Sequence, residues 1–527
     1  MSLGQSGGGN EINERLAALI TNANAVRAIM SAVDGTIGPK GLDTMLVDRF
    51  GEVIITNDGV TILDKMDVNH PAAKMLINIA KAQQEKVGDG TTTATIMAGS
   101  LVVDGVNQVI RGVPVARVIE GMKYGIDKAL ECIEKKGKKI DSIDDAILKE
   151  IAMIAGREHR DIAELVVNAA KLVGVEKLKE ESFKFADIIT AETGAENEVF
   201  LGVIANQERM NKEMPKEVNE AKILIIDDAL EPEEIEDEAL STEIGFKRYI
   251  DLQDQFKGNV QKIVDLGVNV IMTDRGIHSL AEEILADFDI LAVQRVSSKD
   301  LRRIADHTGA KMLKRSGLKK ESTDIEKYFG FADKVYEDEK LEHVRILGGK
   351  GKPMATILVG ASTEEVVGER ERIAKDAAAS VQATIKSGFV PGGGSIEISL
   401  AGDILKFRDD LKGMSAYGLD SVVVALKQPL SRIVENSGFN PLEKVEDVVV
   451  AQSEKGKDSI AIDCDTGEIV DMLEKGIVDP LLVKRYAIKA AGEVAIAILR
   501  IDTIIKKKDD SEGKQESLNN EQDALNF

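Results

Sequence analysis

Gly88-Asp89-Gly90-Thr91-Thr92-Thr93 stands between two stretches, His70 to Glu85 and Thr92 to Ile110, in which alanine, isoleucine and valine recur at helical steps. That spacing predicts two helices joined through the hexapeptide. The glycines let backbone approach a polyanion closely, the amides that follow sit at a helix N-terminus where partial positive charge collects, and three hydroxyls add donors. Asp89 adds the hard oxygen that Mg2+ prefers. The same six residues also read as a Gly-Asp-Gly turn before a threonine-rich N-cap, so the hexapeptide by itself leaves both readings open.

Working outward, Glu11 to Val33 shows the same helical recurrence, so the first ~140 residues are expected to be mainly helical. One interruption differs: Glu52 to Leu63 is β-branched on both sides of Asn57-Asp58-Gly59, which predicts a tight hairpin. From Ala221 the pattern becomes short buried strands alternating with helices: Ala221 to Ile226, Val268 to Thr273 and Asp289 to Val296. This is the pattern of an α/β domain. Between the first two strands lies a charged insertion, Glu231 to Glu238, followed by Ile244, Phe246, Tyr249, Ile250, Leu252 and Phe256 among polar residues. A protruding amphipathic segment of that kind needs something to lie against. Helical periodicity resumes near Thr363 and, broken at Pro391-Gly392-Gly393-Gly394, runs to about Lys506. Helix-rich ends around an α/β middle suggest a nested chain whose first and last segments form one domain.

Composition narrows the function. The chain has 527 residues, too many for one core, and the usual domain size gives roughly three or four domains. The 68 basic and 91 acidic residues leave a net charge of −23, and tryptophan is absent, so neither phosphate-backbone binding nor base stacking is expected. Nucleic acid is therefore not an expected partner. There is no run of about 18 apolar residues, and the N-terminus lacks the basic start and apolar core of a signal peptide. A cytoplasmic location with no membrane partner is expected. Cys132 and Cys464 have no CxxC partner, and the five histidines include no HxxxH pair, so thiolate and imidazole metal sites are not suggested.

Further elements could join the hexapeptide in one site, and each has a plainer reading. Thr36-Ile37-Gly38-Pro39 is a glycine turn against which a base or ribose could rest, or a helix C-cap. Asp58 is a site carboxylate or a hairpin residue. Asp376 lies in an alanine-lined helical stretch, where a solvated carboxylate is the ordinary reading. Gly392 to Gly394 reads as a linker and Asp479 as an N-cap before Pro480. Gly348 to Pro353 imitates part of a Walker A loop, but no GxxxxGK[ST] spacing exists and proline follows where a helix should start, so it reads as a turn.

Taken together the motifs are far more specific. Ile37-Gly-Pro-Lys-Gly41, Asn57-Asp-Gly-Val-Thr61, His70-Pro-Ala-Ala-Lys74, Gly88 to Thr93, Pro391 to Gly394, Val470-Asp-Met-Leu473 and Gly476-Ile-Val-Asp-Pro480 occur in the order, and near the spacings, of the chaperonin family. The resemblance runs from about residue 12 to 505. The insertion resembles the helical protrusion of the group II, thermosome-like branch. Departures exist: Glu231-Pro-Glu-Glu-Ile-Glu236 is not the usual wording at the base of the protrusion, Asp479 stands where many group II members carry glutamate, and Arg157 to Arg160 replaces the lysine-bearing loop that often senses phosphate. They would suit a divergent member of the bacterial kind called group III.

The resemblance implies a multidomain α+β fold: a mostly helical equatorial domain from 1–141 and 392–505, a small α/β intermediate domain from 142–205 and 355–391, and an α/β apical domain, 206–354, with a helical lid protrusion at about 230–259. A disordered tail is expected over 506–527. It implies an ATPase that encapsulates and folds non-native client proteins in two stacked rings of about eight subunits, closed by a built-in lid without a separate co-chaperonin. Ile37, Gly38, Pro39, Asn57, Asp89, Gly90, Thr91, Thr92, Thr93, Gly393 and Asp479 match nucleotide-binding positions, with Asp89 as the Mg2+ ligand. Asp58 and Asp376 match the carboxylates that position and activate the attacking water. Ile244, Phe246, Tyr249, Ile250 and Phe256 are expected on the lid and client surface.

Overall fold

The computed structural model describes residues 7–47, 49–51, 53–233 and 242–503, with no side chain described before Leu16 or at Glu365. The expected tail over 506–527 and the insertion over 234–241 lie outside the described residues. The chain divides into two compact units, Met1–Lys139 with Ser387–Phe527, and Ile140–Lys386.

The first unit is built around the helix Thr91–Ile110, which packs against the helices Gly7–Val33, Pro71–Val87, Ala416–Asn436 and Leu481–Leu499. Its buried residues, Ala94, Ile96, Met97, Ala98, Leu101, Val102 and Val106 among them, go round the helix, as they must in a helix enclosed by others. By length and composition alone, Leu16–Thr36 and Thr91–Ile110 are both long and apolar enough to cross a membrane. In the Thr91 helix that apolarity is spent on the core, where each fully buried aliphatic side chain contributes about 1.5–3 kcal/mol.

The expected hairpin over Glu52 to Leu63 is displaced. The antiparallel strands are Thr44–Val47 and Val53–Thr56, with Thr44 opposite Thr56, and Gly59–Lys65 is a helix. Asp58 caps that helix: its carboxylate accepts from the Val60 and Thr61 amides at 3.4 and 3.1 Å. The cap and the burial of Ile62 and Leu63 outweigh the few tenths of a kcal/mol by which β-branched residues disfavour helix. The helical stretch expected up to Lys506 also contains short strands, Ile460–Ile462, Ile469–Asp471 and Val478–Pro480.

The second unit holds an eight-stranded mixed sheet, ordered Ile189–Thr193, Ala355–Ala361, Glu198–Ala205, His343–Gly349, Gly330–Asp338, Glu217–Ile226, Val270–Thr273 and Leu291–Val293. The last three are parallel, with Ile223 beside Val270 and Val270 beside Leu291. They are the strands whose unbroken apolar runs were readable, because a parallel strand is covered on both faces. Of the other five, Ala355–Ala361 is also buried almost throughout and pairs in parallel with Ile189–Thr193, while the rest carry alternating or mixed patterns. Beyond the sheet, Thr242 caps the helix Glu243–Asp265 by accepting from the Gly245 amide at 3.0 Å. Ile244 is 84% exposed, and Phe246, Tyr249 and Ile250 are exposed with it. Phe256 departs from the expected lid surface: it is 5% exposed and meets His278 edge-on at 6.1 Å. By then the helix has reached the core under the sheet, so its apolar side turns inward.

Candidate functional site

Gly88 and Gly90 are both left-handed, at φ 72° and 77°, so one helix ends and the next begins within three residues. No side chain caps the start of the Thr91 helix, and its first-turn amides have no acceptor within the helix. Asp89 folds back so that its carboxylate accepts from the Gly90 amide at 2.5 Å. Thr91 is buried, while Thr92 and Thr93 are half-buried.

A run of close contacts extends from this turn in two directions. On one side, a Cβ on Gly59 would lie 2.4 Å from the Thr92 hydroxyl oxygen. The helix that Asp58 caps therefore starts hard against the Thr91 helix. Asp58 is held firmly, since Oδ2 also accepts from the Thr61 hydroxyl at 2.5 Å. Beside it, Asn57 Oδ1 is buried without a hydrogen-bond partner among the described residues, the kind of orphaned acceptor that a bound molecule satisfies.

On the other side, buried Gln83 donates Nε2 to the Asp89 carbonyl at 2.8 Å and to the Val483 carbonyl at 3.1 Å, tying the turn to the Leu481–Leu499 helix. A Cβ on Gly90 would lie 2.6 Å from Val483, so the loop touches that helix directly. The next residue, Lys484, pairs with Asp479 at 2.9 Å and with buried Glu397 at 2.7 Å. Asp479 is not an N-cap: it lies in a strand opposite Val390, with Pro391 opposite Val478. A Cβ on Gly392 would be 3.1 Å from Asp479 Oδ2. Gly392 to Gly394 is thus a packed turn, with Gly393 and Gly394 at φ 62° and 79°, and a Cβ on Gly394 would meet Leu430 at 2.9 Å.

Leu430 leads to the last expected segment. One turn further along the Ala416–Asn436 helix, Ile433 lies 3.1 Å from where a Gly38 Cβ would be, and Asn436 donates to the Asp34 and Ile37 carbonyls at 2.9 Å each. Ile37, Gly38 and exposed Pro39 are fixed there. Segments from positions 37 to 39, 57 to 59, 88 to 93, 392 to 394 and 479 are in this way joined within one unit by successive contacts.

Asp376 belongs to the other unit, half-buried on the helix Glu364–Ser387. So does the loop at Arg157 and Glu158, which are left-handed at φ 49° and 63°, with Arg157 ion-paired to Glu369.

Three residues that hold the site together escaped the sequence reading: Gln83, Glu397 and Lys484. Their signal was present. Each is a polar or charged residue on a buried helical stripe, Gln83 beside Ile79, Ala80 and Val87, Glu397 beside Ile396 and Leu400, and Lys484 beside Val483, Ala487 and Ile488. Burial pulls the Lys484 ammonium down, but Asp479 and Glu397 outweigh it and hold the group well above its ordinary range, so it stays charged.

Comparison with known proteins agrees with this architecture. The model of the TCP-1/cpn60 chaperonin family matches residues 29–509. A thermosome subunit beta from Archaeoglobus fulgidus is 38% identical over 503 residues, covering 92% of this chain and 91% of the relative. A thermosome subunit from Pyrococcus abyssi is 37% identical, covering 94% and 92%. The crystal structure of a group III chaperonin in the open state superposes with a TM-score of 0.87 at 44% identity, over 94% of this chain and all of that one.

Proposed function

The chain belongs to the TCP-1/cpn60 chaperonin family, and on that premise we propose that ATP and Mg2+ bind along the contact run centred on Thr91, with hydrolysis driving the folding cycle. The protein is an ATP-dependent chaperone that folds other proteins in a ring chamber. The observation that carries the nucleotide reading is the tight approach of Gly59 to Thr92 and of Gly90 to Val483, which sets the 57–59 segment and the Leu481–Leu499 helix against one uncapped helix start.

In this reading the first-turn amides and the hydroxyls of Thr91, Thr92 and Thr93 bind the phosphates. Asp89 is a single carboxylate, which suits Mg2+, an ion that takes one or two carboxylates and fills its other positions with phosphate oxygens and water. Among the described residues no cluster of three or more metal-binding side chains offers an alternative. When bound, the ion neutralises charge developing on the transferred phosphoryl group. Asp58, immobilised by Thr61 and two amides, holds the attacking water by accepting its hydrogen bond. Asp376 is assigned the second water-activating role on the family resemblance alone. Steady-state ATP hydrolysis by Asp376→Ala tests the assignment: a loss on the order of a hundredfold is expected, and a wild-type rate would remove Asp376 from the mechanism.

The finer assembly belongs to the same proposal: equatorial (1–141, 392–505), intermediate (142–205, 355–391) and apical (206–354) domains, stacked in two rings of about eight subunits in the cytoplasm. The exposed apolar row Ile244, Phe246, Tyr249 and Ile250 supports a lid built into each subunit, with no co-chaperonin ring. Deletion of 231–258 should abolish ATP-dependent client encapsulation. Closure that survives the deletion would assign the lid to another protein.

A further inference from the structure

Gln83 is the only polar side chain buried on the Pro71–Val87 helix, 0% exposed in a stripe with Ile79, Ala80 and Val87. Burying an amide is unfavourable unless it is hydrogen-bonded, and this one is bonded unevenly. Nε2 donates to two carbonyls, Asp89 at 2.8 Å and Val483 at 3.1 Å, while Oε1 has no hydrogen-bond partner among the described residues. Turning the amide over would set its oxygen against two others, so its orientation is settled by chemistry. The side chain is there for its donors.

What those donors hold is the turn from Gly88 to Gly90. The Gln83 carbonyl accepts from the Gly88 amide at 3.3 Å and the side chain takes the Asp89 carbonyl, so one residue grips the turn at two successive positions. The Asp89–Gly90 peptide is trans, and in a trans peptide the N–H points opposite to the C=O. Drawing the carbonyl toward Gln83 therefore turns the Gly90 amide the other way, and there it meets the Asp89 carboxylate at 2.5 Å. A hydrogen bond to an ionised carboxylate is among the stronger ones, so it fixes the direction of the group. Val483 closes the arrangement: its carbonyl shares the Gln83 amide, and a Cβ on Gly90 would lie 2.6 Å from its side chain. The direction of the Asp89 carboxylate is thus set by a residue that has no part in binding phosphate or metal.

We propose that Gln83 is a positioning residue for Mg2+, holding Asp89 in the direction from which its carboxylate takes the ion. This rests on the Mg2+-ATP reading and adds to it the residue that aims the ligand. Groups that orient a metal ligand from behind commonly govern about tenfold or more of the affinity.

The test is calorimetric titration of the assembled particle with a non-hydrolysable ATP analogue, once in Mg2+ and once in EDTA, the ratio of the two affinities being the advantage that the ion confers. Wild type should bind more tightly in Mg2+. Gln83→Met, of similar length but without donors, should cut that advantage about tenfold and leave the affinity in EDTA within about twofold of wild type. The Mg2+ concentration that half-saturates ATP hydrolysis should rise by the same factor, while the rate at saturating Mg2+ changes little. Asp89→Ala should remove the advantage, and Gln83→Met added to it should remove nothing more, because the one acts through the other. Since Gln83→Met leaves two carbonyls unpaired, a gentler variant covers a failure to assemble: Gln83→Asn falls short of them and leaves room for a bridging water, and its advantage should fall a few-fold. An assembled variant that keeps the full advantage overturns the proposal. So does one that loses affinity equally in Mg2+ and in EDTA, which would make Gln83 a strut of the loop and nothing more. A wild type that binds equally in both refutes the Mg2+ assignment itself, and one that binds in neither refutes the ATP reading; both are different failures.

Discussion

Two long helices, Thr91–Ile110 and Glu243–Asp265, have a threonine at their start, the first as its opening residue and the second as its cap, and what surrounds those starts sets them apart. The first has no side-chain cap and is enclosed by neighbouring segments at distances where a single added methyl would collide. The second is closed by its own Thr242, bears Glu243 in its first turn and turns Ile244 and Phe246 outward. An open, enclosed helix start presents amides to an anion, whereas one whose Gly245 amide is taken by Thr242 and whose first turn bears Glu243 disfavours an anion and offers its exposed apolar side chains instead. Precision defines the first region and composition the second.

The largest expected effect breaks the first region while sparing the second. Asp58→Ala should lower the ATP hydrolysis rate by roughly a thousandfold, about 4 kcal/mol of transition-state stabilisation, together with about 1 kcal/mol of stability from loss of the helix cap. Hydrolysis within a few-fold of wild type would reduce Asp58 to a cap alone, the role Thr242 has at the second helix. Next comes Phe256→Ala, which should cost about 3 kcal/mol in a denaturant titration of the second unit, as for any aromatic removed from a packed core. A small loss would return Phe256 to the exposed surface where its sequence neighbours lie. Smaller again, Thr242→Ala should cost about 1 kcal/mol of local helix stability and leave hydrolysis unchanged, read as faster amide exchange in Glu243 to Phe246.

The same contrast explains how much could be read in advance. The three parallel strands announced themselves through unbroken apolar runs, and the helices Pro71–Val87 and Thr91–Ile110 through strong periodicity. Over Gly59–Lys65 propensity favours strand, while the Asp58 cap and burial of Ile62 and Leu63 decide for helix. The candidate site was legible only as scattered glycines and carboxylates. Its members meet through Gly38 on Ile433, Gly394 on Leu430 and Gly90 on Val483, contacts that span some 390 residues of sequence in the extreme cases and leave no local trace. Gln83, Glu397 and Lys484 did leave one, as polar breaks in apolar stripes, and such breaks deserve weight wherever a helix is otherwise buried.

The smallest effect on stability tests the projecting helix most directly. Ile244→Ser with Phe246→Ser replaces two residues that are 84% and 56% exposed, so nothing packed is lost and the unfolding free energy should change by less than about 0.5 kcal/mol. Hydrolysis should likewise be unaffected, since the pair lies neither on the helix Glu364–Ser387 that carries Asp376 nor in the unit that carries Asp58 and the Thr91 helix. What should fall is the function of the apolar row itself: suppression of aggregation of an unfolded client, and protection of an encapsulated client from protease in the presence of ATP. Tyr249 and Ile250 remain, so the reduction is expected to be partial, a few-fold, and to deepen when they too are changed to serine. A double variant that protects its client as well as wild type would mean that the row is merely exposed, and the distinction between an anion-binding helix start and a protein-binding one would hold only for its first half.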